Sequence, residues 1–91
     1  MNNILHVYPQ LNCGGTETVL YSLIKYSDRN LIHYDILIQR AGEQEHFFEE
    51  LGCNIITIPY ESSEQYHSDL HEFFSKNNYQ AVHCHMHEEM S

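Results

Sequence analysis

Ninety-one residues with 42% hydrophobic content, seven tyrosines and four phenylalanines are enough for one small domain, or part of a larger one, and argue against wholesale disorder. Thirteen acidic against four basic residues give a formal charge of −9. That balance argues against nucleic acid and anionic membrane surfaces as partners of this segment, because both demand clustered Lys and Arg.

Three cysteines, Cys13, Cys53 and Cys84, are odd in number and widely spaced, with no C-x-x-C. A reducing, cytosolic setting accounts for them more simply than a disulfide framework. Cys13 reads either as a reactive thiol beside a glycine turn or as a small apolar filler. Met1-Asn2-Asn3 lacks the basic segment of a secretory leader, and no apolar run approaches membrane-spanning length.

Ile4 to Tyr8 is a short apolar run with the length and composition of a buried strand. Pro9 to Gly15 is turn-rich and ends in Gly14-Gly15, after which the period changes. A helix is predicted from about Thr16 to Tyr26, with Val19, Leu20, Leu23 and Ile24 as its apolar stripe and Glu17 in the first turn, where a negative charge suits the dipole. Strand, glycine turn and helix open a nucleotide-binding βαβ unit. Two glycines leave no Cβ between the backbone and a ligand, and the first N–H groups of the helix are free for a phosphate or carboxylate. Neither G-x-G-x-x-G nor the P-loop lysine is present, so the same pair also reads as a plain turn.

The polar run Ser27 to Asn30 ends this helix, and Ile32 to Ile38 is the second strand. Glu43 to Leu51 is a short helix presenting Phe47, Phe48 and Leu51, with Gly52 as its stop. Ile55 to Ile58, closed by Pro59, is the third strand. Ser62 and Gln65 fit a capping box, and Tyr66, Leu70, Phe73 and Phe74 form the stripe of a helix that ends at Asn77-Asn78. Tyr79 to His85 is the fourth strand.

The alternation βαβαβαβ implies a Rossmann-like α/β fold: a parallel sheet in the order 3-2-1-4 with flanking helices. Reversal of the winding makes the gap between strands one and four the switch point, where ligands bind beyond the carboxyl ends. Gly14-Gly15 and His85-Met86-His87 would face that crevice. A strand so near the last residue, with no helix after it, gives the chain the look of the first part of a larger domain.

At these residues a resemblance appears. Ile4-Leu5-His6-Val7 followed by Gly14-Gly15-Thr16-Glu17 looks like the G-G-x-E signature of family 4 glycosyltransferases. Ala81-Val82-His83-Cys84-His85 is similar to the fourth-strand segment of that family, an apolar pair followed by H-x-H. The resemblance implies a GT-B architecture of two Rossmann-like domains, of which residues 1–91 would be the N-terminal part of the acceptor-side domain. It implies a parent enzyme that moves a sugar from a nucleotide-sugar donor to a glycan or lipid-linked acceptor, without a metal or other cofactor. Gly14, Gly15 and Thr16 would approach the donor phosphates. Glu17, His83, His85 and His87 would lie on the acceptor side of the cleft, with Glu17 equally readable as helix-terminus electrostatics. The family's usual catalytic histidine follows a fifth strand, and its donor-binding E-x7-E lies in a second domain. This segment would therefore carry no catalytic residue and, alone, no activity. A cytoplasmic location is implied, with peripheral membrane association through parts outside these residues as an open alternative.

Two other readings stand beside it. One is a non-catalytic phosphate- or nucleotide-binding module of Rossmann type, which the same turn would serve. The other is metal binding by His83, His85 and His87, which share one face of an extended strand, with Cys84 or Glu88 as a further ligand. His67 and His71, one helical turn apart, read as an exposed pair on a polar helix face.

Overall fold

The computed structural model describes residues 2–11, 15–28 and 30–84, with the side chain of Thr16 left out. Four strands, β1 (Asn2–Tyr8), β2 (Ile32–Ile38), β3 (Asn54–Thr57) and β4 (Ala81–Cys84), form one sheet in the order β3-β2-β1-β4. Every pairing is parallel, with Leu5 opposite both Asp35 and Val82, and His6 opposite Ile36 and His83. Three helices connect them: α1 (Gly15–Tyr26), α2 (Glu45–Glu50) and α3 (Ser63–Lys76). This is the Rossmann-like alternation and strand order expected from the sequence.

Strand alternation divides the core in two. On one face Tyr8, Tyr34, Ile36 and Ile38 pack with Leu20 and Ile24 of α1, Phe48 of α2, and Leu11 and Cys53 from the loops. On the other, Leu5, Val7 and Leu37 pack with Ile58 and with Tyr66, the buried residue of α3. Leu70 and Phe73 join that second cluster half-buried, whereas Phe74 is exposed.

The helix ends follow from local chemistry. Ser62 caps α3, its hydroxyl accepting the Gln65 N–H at 3.1 Å. The reciprocal half of the expected capping box is not made, because the Gln65 amide turns along the helix to Asp69 at 2.9 Å. Helix α2 is shorter than Glu43 to Leu51 at both ends. The Glu45 carboxylate accepts the Gly42 N–H at 2.6 Å, which keeps Glu43 and Gln44 in a turn. Gly52 stops the helix at φ 91°, with its N–H on the Glu49 carbonyl and the Cys53 N–H on the Phe48 carbonyl. That is a Schellman closure, with Phe48 and Cys53 meeting in the core.

Two expectations for the apolar stripes need correction. In α1, Leu20 and Ile24 are buried, but Val19 and Leu23 are 69% and 53% exposed. Tyr21 packs on Phe47 and Phe48, so α2 lies on that flank and Val19 and Leu23 fall on the opposite one. In α2, Phe48 takes the core position and Phe47 is 37% exposed.

Strand β4 begins at Ala81 rather than Tyr79. The Tyr79 hydroxyl instead donates to Asp35 Oδ2 at 2.6 Å, reaching across β1 to β2. His33 Nε2 meets Asp35 Oδ1 at 2.7 Å, and the Asn54 amide donates to the same oxygen at 3.2 Å. A carboxylate inside the apolar run of β2 is thereby satisfied by polar groups from β2, from β3 and from the loop before β4.

Desolvation, then the hydrogen bond to Asp35 and its charge, pushes the Tyr79 hydroxyl well above the ordinary value of 10.0. Because folding favours the neutral phenol, its contribution is complete below pH 10 and is lost as the pH climbs above that toward the folded value. Tyr79→Phe should cost about 1–3 kcal/mol at pH 7 by depriving a partly buried carboxylate of a donor. The gap from the parent chain should narrow above pH 10 in urea titrations, and a gap independent of pH would contradict this account.

Candidate functional site

The carboxyl ends of β1 and β4 lie side by side where the strand order reverses. The loop leaving β1 is fixed by the loop leaving β2. The Pro9 carbonyl accepts the N–H groups of Gln39 and Arg40 at 3.0 and 3.2 Å, and the Leu11 carbonyl accepts Gln44 N–H at 2.9 Å. The Gln10 side chain donates to the Ala41 carbonyl and accepts from Arg40 Nε. Leu11 is fully buried. The described part of the loop leaving β1 is therefore anchored on the loop leaving β2, and α1 starts at Gly15, one residue before the expected Thr16. Its first N–H groups lack intrahelical acceptors, as at any helix start.

Glu17 stands half-buried in the first turn of α1, and His83 is exposed on β4. His6, expected only as part of a buried strand, lies beside His83. Its ring is 4% exposed, with ring centroids 5.8 Å from Tyr34 and 5.2 Å from His83. Three aromatic rings thus run across β2, β1 and β4 on the face that carries α1. The sequence signal was the register itself: a histidine in β1 opposite the first histidine of H-x-H.

Of the remaining residues read from sequence, Cys13, Gly14, His85, His87 and Glu88 lie outside the described residues, and of Thr16 only the backbone is described. Cys84 is exposed and opposes Val7, on the other face of β4 from His83. Among the described residues no group of three or more His, Cys, Asp or Glu could hold a metal ion. His67 and His71 are both exposed on α3. Among the described residues no helix is long and apolar enough to cross a membrane.

The strand-edge arrangement offers an anion the amides of a helix start, and a polar ligand an imidazole that donates at one ring nitrogen and accepts at the other. No protein-family model, curated protein or solved structure matches the chain.

Proposed function

We propose that residues 1–91 are the acceptor-side, N-terminal part of a GT-B glycosyltransferase that moves a sugar from a nucleotide-sugar donor to a glycan or lipid-linked acceptor. The observation that supports this reading is the placement of the Gly15 helix start and His83 at neighbouring strands of the switch point. In this reading the backbone of Gly14, Gly15 and Thr16 faces the donor diphosphate. Glu17, His83, His85 and His87 face the acceptor. Transfer places negative charge on the departing phosphate, and fixed amide dipoles at a helix start stabilise such charge without a metal. A polar group beside the acceptor hydroxyl holds it within hydrogen-bond reach of the sugar carbon.

Inorganic pyrophosphate tests the donor side with the chemistry common to nucleoside diphosphate sugars. Titrated into the 15N-labelled chain, it should shift the amide resonances of Gly15, Thr16 and Glu17 in a saturable way, and Gly15→Val should remove the effect. Uniform, non-saturating shifts, or an undiminished response in Gly15→Val, would overturn the reading.

A further inference from the structure

A second concavity opens on the flank of α1 away from β4. It measures about 280 Å³ and is lined by Glu17, Thr18 and Tyr21 of α1, by Gln44 at the start of α2, and by Phe47. That volume lies just below the ~300–1,000 Å³ typical of small-molecule sites, room for one ring rather than a whole nucleotide sugar. Gln44 is tied by its N–H to the Leu11 carbonyl in the loop leaving β1, so the groove sits at the carboxyl edge of the sheet.

Its walls are aromatic and its rim is polar. Tyr21 and Phe47 meet at 86° with centroids 6.4 Å apart, forming a corner of two ring surfaces. Tyr21 is braced from below by Phe48, at 5.8 Å and 82°, and Phe47 is backed by the His46 ring at 4.0 Å. The corner is therefore preformed. The half-buried Gln44 side chain makes no capping bond to its own helix, which leaves an amide with both donor and acceptor capacity on the rim. The Glu17 carboxylate stands on the rim, no lysine or arginine is among the described lining residues, and the Lys25 ammonium lies 5.9 Å from the Tyr21 ring centroid.

We infer that this groove binds a neutral sugar ring, stacked in the Tyr21–Phe47 corner with its hydroxyls on Gln44 and Glu17. The apolar C–H face of a pyranose matches an aromatic wall, and adjacent hydroxyls match an amide and a carboxylate set beside it. A phosphate is disfavoured at the rim by the Glu17 carboxylate, the only charged side chain among the described lining residues. Calling this sugar the acceptor rests on the glycosyltransferase reading; the groove's affinity for a neutral pyranose does not.

The test uses methyl glycosides of glucose, galactose, mannose and N-acetylglucosamine, each titrated into the 15N-labelled 91-residue chain. At least one should give saturable shifts at Thr18, Tyr21, Gln44 and Phe47, with millimolar affinity. Phe47→Ala and Gln44→Ala should each weaken that binding about ten-fold or more, equal to about 1.4 kcal/mol. Both positions are at least partly solvent-exposed, and unchanged urea midpoints would show that the variants keep the fold. The absence of saturable shifts with every glycoside, or binding that both variants retain, would overturn the inference. Pyrophosphate binding without glycoside binding would sink this inference alone. Glycoside binding without pyrophosphate binding would sink the transferase reading and leave a carbohydrate groove.

Discussion

Gly42→Ala is expected to destabilise the chain by about 3 kcal/mol, at the upper end of overpacking costs. A Cβ at this position would stand 2.7 Å from both the carbonyl carbon and the amide nitrogen of Leu11, and closer still to the carbonyl oxygen. Those are backbone atoms of a fully buried residue, so no flexible side chain can swing aside. The Leu11 carbonyl also accepts the Gln44 N–H, and the Gly42 N–H is held by Glu45. Relief would pull apart the contact between the loops leaving β1 and β2. Urea denaturation followed by circular dichroism measures the loss, and a midpoint equal to that of the parent chain would refute the close approach. Because Leu11 anchors the described part of the loop between β1 and α1, the same variant should also weaken the pyrophosphate response.

On the function proposed above, the second large effect is in turnover. In a complete enzyme bearing this segment, Gly15→Val should lower kcat about 10²- to 10³-fold, the cost of losing one well-placed oxyanion donor. The branched side chain would stand at the start of α1, where the donor diphosphate needs to reach the backbone. Valine has a higher helix propensity than the glycine it replaces, so the fold should survive and circular dichroism should be unchanged. Full activity in Gly15→Val would exclude the phosphate role for this turn. The 91-residue chain by itself should transfer no sugar above background, and measurable transfer would contradict the division of the active site between two domains.

Much of the fold was legible because periodicity and sheet topology are coupled. Apolar runs at Ile4–Tyr8 and Ile32–Ile38, separated by helix-period segments, can bury their two faces only as parallel strands covered by helices. Right-handed crossovers then leave few orders, and β3-β2-β1-β4 is the one observed. Stops were legible where one residue carries the geometry. Gly52 takes a positive φ that other residues rarely adopt, and Ser62 supplies the oxygen that a free helix N–H needs.

Other features were decided by residues distant in sequence. Val19 and Leu20 are equally apolar, yet only Leu20 is buried, because the position of α2 determines which flank of α1 is covered. Asp35 sits within the apolar run of β2, and it is Tyr79, 44 residues later, that reaches across β1 to hold it. For the candidate site, the sequence determined the residue types: glycines before a helix, Glu17 in its first turn, and histidines on the last strand. Only the tertiary structure decided that the His6 ring lies against those of Tyr34 and His83 and that Tyr21, Gln44 and Phe47 share a groove. A residue's own pattern fixes the period of its element, whereas contacts across strands and between loops depend on which element the whole chain has placed beside it.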